Sequence, residues 1–228
     1  MKNQFWAVVI GIGLALCGYF IYCGIDNMAN KDRFVTVKGL SEREVMADKV
    51  TWRLSVKVTG NQSERLYDQL EPKLQTLRKY LNENGVSNEE IVPSAPYLYD
   101  RSDWYNWAEK KAFVDQFELT GYLTVVSDKV EMIRDINLKQ QELLKLGVLI
   151  DNSMLNYEYS GLNTLKPEMV QEATQNARVV ADKFAEDAKC QLGSIRTARQ
   201  GQFEVTSNDV FPYLRLVRVV VNIDYYLK

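Results

Sequence analysis

The last part of the chain has the most regular alternation of hydrophobic and polar side chains. From Val217 to Leu227 every second residue is apolar, which is the pattern of a strand that buries one face. The segment Val50–Val58 alternates in the same way and places Trp52 on its apolar side. Both segments therefore predict strands, and Trp52 is predicted to lie in the core. Further extended segments are predicted over residues 34–38, 91–99, 112–126, 155–159 and 195–205, the second of them at a sheet edge or bulge because it holds two prolines.

Three other segments repeat apolar residues at spacings of three and four, as amphipathic helices do. The first carries a leucine stripe over residues 66–81, with Asn61 as its predicted N-cap and Gly85 as its end. Its internal Pro72 predicts a bend near Gln69. The second helix is predicted between residues 128 and 147, and the third between 164 and 193. The residues predicted to face inward are Val130, Ile133, Ile136, Leu143 and Leu144 in the second, and Val170, Ala173, Ala177, Val180, Phe184 and Ala188 in the third.

The order of these elements is β-β-α-β-β-α-β-α-β-β. Hairpin-joined strands interleaved with helices predict an α+β fold, in which antiparallel sheets are covered by about three helices. The β-α-β-β-α-β stretch within this order predicts a ferredoxin-like unit.

The amino-terminal segment Phe5–Ile25 contains 21 consecutive uncharged residues. A helix of that length matches a hydrocarbon core of about 30 Å, so the segment predicts a membrane span. The competing interpretations are a cleaved signal peptide and a lipoprotein processed at Cys17, but an A-x-A cleavage pattern is missing and Leu16 precedes the cysteine. The predicted organisation is a cytoplasmic stub and anchor over residues 1–25, a linker over 26–32 and a globular domain over 33–228.

Composition narrows the chemistry that this domain performs. The 228 residues include 28 Lys and Arg against 30 Asp and Glu, so no positive excess favours nucleic acid as a partner. The chain has no histidine, which excludes Ser-His-Asp and Cys-His mechanisms and a His-ligated zinc site. No phosphate-binding loop, Cys-x-x-Cys pair or nucleophile elbow is present, and no cofactor is predicted. The acidic pairs Glu89-Glu90 and Glu186-Asp187 are predicted to be solvated surface, and Cys190 to be buried and unreactive.

The segment between the third and fourth predicted strands is a hairpin tip that carries three large aromatic residues among charges. These residues, Trp104, Tyr105 and Trp107, are the candidate contact with a partner, a second subunit or a membrane surface. The alternative interpretation is that they fold back over the sheet edge.

Several short motifs occur in the order and spacing of a known family. They are Val35–Gly39 before the long strand, Leu81–Val86 followed by Glu90–Val92, Thr120–Tyr122, and Glu172-Ala173 followed by Ala177–Ala185. In these motifs the chain resembles the SIMPL-domain family over nearly the whole globular part. The chain departs from the family pattern at Ala47-Asp48, where members commonly have Pro-Asp, and in its leucine-rich first helix. The resemblance implies an exported or membrane-anchored bacterial envelope protein with an α+β domain, which assembles into large oligomers in some members, and it carries no catalytic residues.

These observations together predict a single-pass protein of the inner, cytoplasmic membrane with a periplasmic domain. We expect it to act as a binding or self-assembling module, as a homo-oligomer or with an envelope protein partner, and not as an enzyme. Two alternatives remain open at this stage. One is a carboxylate-dependent hydrolase acting on an envelope polymer, and the other is a small-ligand carrier with a groove between helices and sheet.

Overall fold

The alternating segments of the chain form two sheets, one covered on one face by several helices and the other by a single helix. In this computed structural model the described residues are 11–22, 24, 33–101 and 115–228. They form two compact units: residues 44–162 with 206–215 make the first, and residues up to 43 with 163–205 and 216–228 make the second. We call them the β2 unit and the β8 unit after their central strands, β2 (Lys49–Gly60) and β8 (Leu214–Leu227). The fold is α+β with two antiparallel sheets, as predicted.

The strands are β1 (Phe34–Met46), β2 (Lys49–Gly60), β3 (Ile91–Asp100), β4 (Phe117–Ser127), β5 (Ile150–Glu158), β6 (Leu192–Gln200), β7 (Glu204–Ser207) and β8 (Leu214–Leu227). The helices are α1 (residues 11–22), α2 (Ser63–Glu83), α3 (Val130–Leu138), α4 (Glu142–Lys145) and α5 (Leu162–Asp187), with a 3₁₀ turn at Asn88–Glu90.

The sheet of the β2 unit has the strand order β3-β4-β2-β5, and all of its neighbouring strands are antiparallel. With α2 between β2 and β3 and α3 between β4 and β5, this is the strand order of the predicted ferredoxin-like unit. The alternation of β2 determines its two faces, since Trp52, Leu54 and Val56 are completely buried. They pack with the leucine stripe of α2 in one hydrophobic core.

The edge position predicted for the proline-containing strand is confirmed. β3 is the outer strand next to β4, and its register shifts between Ser94 and Tyr97, on either side of Pro96. Proline has no N–H to donate to a neighbouring strand, so it is tolerated at an edge or a bulge, where that hydrogen bond is not required.

The helices of the β2 unit depart from the prediction at their ends. Helix α2 begins after Gln62, and the Asn61 side chain does not act as its N-cap but accepts a hydrogen bond of 2.9 Å from the Gln116 N–H. The helix runs through Pro72 without interruption and ends before Gly85, whose φ of +100° suits glycine.

The second predicted helix is two helices, because the chain turns between Leu138 and Glu142. This turn restarts the helical periodicity, so Leu143 is buried while Leu144 is 58% exposed, contrary to the prediction that both face inward. The predicted 112–126 strand begins at Phe117, and the predicted 195–205 strand is divided into β6 and β7.

The sheet of the β8 unit has the order β1-β8-β6, with β7 also paired to β8. Five residues of β8 at alternate positions are buried, which confirms the final strand: Val217, Val219, Val221, Ile223 and Tyr225. Helix α5 covers this face, and its buried residues follow a strict spacing of four: Met169, Ala173, Ala177, Ala181 and Ala185. The prediction that Val180, Phe184 and Ala188 face inward is wrong, since all three are exposed.

The amino-terminal helix α1 is described over residues 11–22, and all of its side chains are exposed. Among the described residues we find no helix that is long and apolar enough to cross a membrane. Residues 5–10, 23 and 25 of the predicted span and the whole predicted linker, residues 26–32, lie outside the described residues.

Glu90 ties the end of the 3₁₀ turn to the start of α3. Burial alone would raise its pKa, but hydrogen bonds from the Ser127 hydroxyl (2.6 Å), the Ser87 N–H (2.8 Å) and the Lys129 ammonium (3.3 Å) outweigh it, and the pKa falls from 4.5 to about 2. A lowered pKa means that the charged carboxylate stabilises the fold.

Glu90→Gln is therefore expected to reduce the free energy of unfolding at neutral pH. The stability that Glu90 contributes is fully present above its ordinary pKa of 4.5 and is lost as the pH falls towards about 2, so the two proteins should converge in acid. Denaturant unfolding as a function of pH measures the difference. The exposed neighbour Glu89→Gln is the control, and a difference between Glu90→Gln and wild type that is as large at pH 2 as at neutral pH would contradict this role.

Candidate functional site

The three aromatic residues predicted as a partner contact, Trp104, Tyr105 and Trp107, lie outside the described residues. The strands on either side are adjacent and antiparallel, with Asp100 opposite Phe117. The hairpin tip and the contact role of its aromatic residues therefore both stay predictions.

The described residues offer a different candidate surface on α5. Val180 is 41% exposed and Phe184 is 55% exposed, although the hydrophobic pattern predicts both in the core. The reason lies in β1, where a Cβ added to Gly39 would come within 1.9 Å of the carbonyl oxygen of Ala173. Helix and strand approach so closely that alanines fit between them, and the larger side chains lie on the flank of the helix.

Contacts with β1 identify which flank this is. Arg43 pairs with Glu168 at 2.9 Å, the Ser41 hydroxyl donates to Glu172 at 2.9 Å, and the Asn176 amide donates to the Leu40 carbonyl at 2.8 Å. These α5 residues are spaced by four along one row of the helix. The next members of the row are Val180 and Phe184, so the two exposed apolar side chains continue the row that faces β1.

β1 is an edge strand within the part of the chain that the structure describes. It runs antiparallel to β8, since Leu227 donates to the Arg33 carbonyl and Thr36 donates to the Asp224 carboxylate. The strand therefore has one edge of main-chain groups without a neighbouring strand among the described residues, next to the Val180 and Phe184 row. We call this surface the β1–α5 edge.

A surface concavity of about 610 Å³ lies on the exposed side of α5. Val179, Val180 and Phe184 supply its apolar part, and Lys183 and Asp187 supply charges of both signs. Val179 is 68% exposed. An exposed apolar row between opposite charges is typical of a protein contact.

Three carboxyl groups of the described residues, Asp48, Glu90 and Asp224, do not resemble a glycosidase acid. Burial would raise the pKa of Asp48 and of Glu90, but the hydrogen bonds that these carboxylates accept outweigh it and lower both pKa values. Hydrogen bonds from the hydroxyls of Thr197 and Thr36 lower the pKa of Asp224. A general acid needs a raised pKa, so the hydrolase alternative gains no support from these three groups. Glu186 pairs with Lys183 at 2.8 Å on the exposed surface.

The structure also describes two other predicted features, Cys190 and a groove for a small ligand. Cys190 is partly exposed, and its sulfur lies 3.5 Å from the Arg33 guanidinium, so the prediction that it is buried is wrong. A groove of about 340 Å³ between α2 and β3 has the position that the small-ligand carrier alternative requires, with Tyr67, Leu74 and Pro93 in its wall.

The fold and this surface define an α+β protein in which an edge strand, with no neighbour on its outer side among the described residues, lies beside an exposed apolar helix row. The chain belongs to the SIMPL family, described as a protein of unknown function (DUF541), whose pattern matches residues 35–213. The resemblance in the sequence is thereby confirmed.

Similar solved structures include a hydrolase from Listeria innocua, at 12% identity and a TM-score of 0.25, covering 82% of this chain and 92% of that one. An uncharacterized conserved protein from the same organism has 13% identity and a TM-score of 0.25, with coverages of 79% and 92%. These likenesses are too distant to argue for an activity. No curated protein matches the chain.

Proposed function

We propose that the protein is a self-associating interaction module rather than an enzyme, and that two copies join through the β1–α5 edge. The observation that carries the proposal is the exposed row of Val180 and Phe184 beside an edge strand that has no neighbour among the described residues. Two edge strands can pair through main-chain hydrogen bonds, and exposed apolar side chains near them then become buried.

Strand and helix spacings fit a two-fold arrangement. Helix α5 lies over β1 at Gly39, and the buried face of β8 is next to it. We infer from this that the axis of α5 runs between the two strands, roughly half a strand spacing inside β1. With strands about 4.8 Å apart, pairing β1 with β1 of a second copy would bring the two α5 helices to roughly 10 Å from each other. Helices pack at about 8 to 10 Å, so the Val180 and Phe184 rows would meet across the two-fold axis.

The charges on this surface also suit a second copy of the same chain. Lys183, which pairs with Glu186 of its own copy at 2.8 Å, and Asp187 lie close to the apolar row on α5. Antiparallel helices related by a two-fold axis can bring Lys183 of one copy near Asp187 of the other as a second partner. The β1–α5 edge of each copy can therefore contact the same surface of the other copy.

We further propose that residues 5–25 anchor the protein in the inner membrane, with residues 33–228 outside the cytoplasm. The uncharged run of 21 residues supports the anchor, as do the exposed apolar side chains of residues 11–22, such as Leu14 and Phe20, both 70% exposed. The extracytoplasmic location is what membership of the SIMPL family favours. An anchor would hold the copies at one surface and raise their effective concentration for pairing.

Sedimentation of the full chain in neutral detergent micelles tests the self-association. The wild-type protein is expected to contain at least two copies per particle. Phe184→Asp is expected to weaken association by at least about a hundredfold, because an unpaired carboxylate would have to be buried between the two helices.

Leu144→Asp is the matched control, since Leu144 is also exposed, at 58%, but lies on α4. Its particle mass should equal that of the wild type. A wild type that remains monomeric, or a Phe184→Asp variant with the wild-type mass, would overturn the proposal. Protease accessibility of residues 102–114, compared between the wild type and both variants, tests whether Trp104, Tyr105 and Trp107 are protected in the same assembly.

A further inference from the structure

Another concavity lies on the sheet of the β2 unit, on the face turned away from the core. Its volume is about 180 Å³. Strand register explains how its lining comes together: Ser55 on β2 lies opposite Tyr122 on β4 and Asn152 on β5, and Arg53 lies opposite Met154. These five residues line the concavity.

A β-bulge borders this site. The β2–β5 register shifts directly after Ser55, and the extra residue on β5 is Asp151. Asp151 turns to Lys57, with 2.9 Å between its carboxylate and the ammonium, and Glu118 contacts the same ammonium at 3.2 Å. The positive charge of Lys57 is therefore compensated by two carboxylates.

Arg53, four positions before Lys57 on the same face, has no such compensation among the described residues. Its guanidinium carbon lies 4.4 Å from the centroid of the Tyr122 ring, a cation–π contact that holds the side chain in place. In the ranges 33–101 and 115–228, no carboxylate forms an ion pair with Arg53. The ring contact engages no hydrogen-bond acceptor, so the N–H groups of the guanidinium stay available for a ligand.

The neighbouring polar groups face the same space. Ser55 is 2% exposed and lines the concavity, yet its hydroxyl makes no hydrogen bond within the described part of the chain. The Asn152 side chain is likewise without a hydrogen bond to any residue of that part. Met154, 60% exposed, supplies an apolar wall beside these groups.

We propose that this concavity binds the carboxylate group of a small organic acid or of a free peptide carboxyl terminus. One uncompensated guanidinium matches a single negative charge, and its fork of N–H groups matches the two oxygens of a carboxylate. A phosphate dianion would need a second free cation, and Lys57 is already paired. The hydroxyl of Ser55 and the amide of Asn152 complete the hydrogen bonds, and Met154 contacts the first carbons of the ligand.

Saturation-transfer difference NMR on the full chain in neutral detergent micelles tests this site with three probes. The probes are N-acetyl-alanyl-alanine with a free carboxylate, the same dipeptide with a terminal amide, and propionate. We expect saturable binding of the free-acid dipeptide, and at least about tenfold weaker binding of the amide, since the amide carries no charge for Arg53. Propionate that binds as tightly as the dipeptide acid identifies a small acid as the ligand, and a clear preference for the dipeptide identifies a peptide end.

Arg53→Gln is expected to weaken binding of the acid at least about tenfold, to the level of the amide. Arg65→Gln is the matched control, because Arg65 is an exposed arginine on α2. Ser55→Ala removes one oxygen atom and gives a second, milder test of the site, with a few-fold loss expected. Equal binding of acid and amide, no binding of either acid, or an Arg53→Gln variant with wild-type affinity would overturn the proposal. Phe184→Asp should bind the acid normally, which separates this site from the self-association surface.

Discussion

Alanine in place of Gly39 is expected to destabilise the β8 unit by about 3 kcal/mol or more. The added Cβ would lie 1.9 Å from the Ala173 carbonyl oxygen, 2.7 Å from the Ala177 nitrogen and 2.8 Å from the Ala177 Cβ. Two of these atoms belong to the α5 backbone, which cannot yield by changing a rotamer. Helix and strand would have to separate, and the packing along the whole alanine row would loosen.

Thermal and denaturant unfolding of Gly39→Ala measure this effect. Gly60→Ala is a suitable control, because a Cβ there would meet a single flexible atom, the Leu66 Cδ2, at 3.1 Å. We expect Gly60→Ala to cost less than about 1 kcal/mol. Equal stabilities for the two variants would contradict the close approach of α5 to β1.

Strand prediction succeeds where the cause of the pattern is local. The faces of β2 and β8 follow from the alternation of side chains along an extended chain, and the structure buries Trp52 and Val217 as that alternation requires. The same holds for β3, whose edge position follows from the missing N–H groups of its prolines.

Helix α5 shows why the inward face of a helix is harder to predict. Val180 and Phe184 are more hydrophobic than Ala181 and Ala185, so a pattern of hydrophobicity selects the wrong row. The deciding constraint is Gly39, well over a hundred residues away in sequence, whose lack of a side chain draws the helix close. The sequence signal for close packing is an alanine at every fourth position, and the chain contains it at Ala173, Ala177, Ala181 and Ala185.

The carboxylate site could not be predicted from the chain alone. Arg53 and Ser55 alternate on the polar side of a strand, a pattern shared with any solvated sheet face. Their neighbours Tyr122 and Asn152 lie on two other strands. The pairing register of β2 with these strands, and the bulge after Ser55, bring the residues together. What distinguishes Arg53 from Lys57 is the position of carboxylates in space, which periodicity does not encode.

Trp52→Ala is expected to cost about 3 to 5 kcal/mol in the free energy of unfolding. The side chain is completely buried among the residues of the β2-unit core, and its removal would leave a large cavity under the sheet. The indole N–H also donates a hydrogen bond of 2.9 Å to the Ser153 hydroxyl on β5, which in turn contacts the Asn137 amide oxygen at 3.3 Å. Loss of packing and loss of this hydrogen bond both contribute, and they can be separated.

Ser153→Ala removes the acceptor of the indole N–H and keeps the packing of the ring, so it should cost only about 1 kcal/mol. Trp52→Phe removes the N–H and part of the volume, and we expect an intermediate loss. Chemical denaturation of the three variants gives the order Ser153→Ala, Trp52→Phe, Trp52→Ala with increasing cost. If Ser153→Ala were as damaging as Trp52→Ala, the hydrogen bond rather than the buried ring would hold β2 to β5. Because Trp52 and Arg53 point to opposite faces of one strand, Ser153→Ala should also leave carboxylate binding at Arg53 intact, which makes the core and the site separable by mutation.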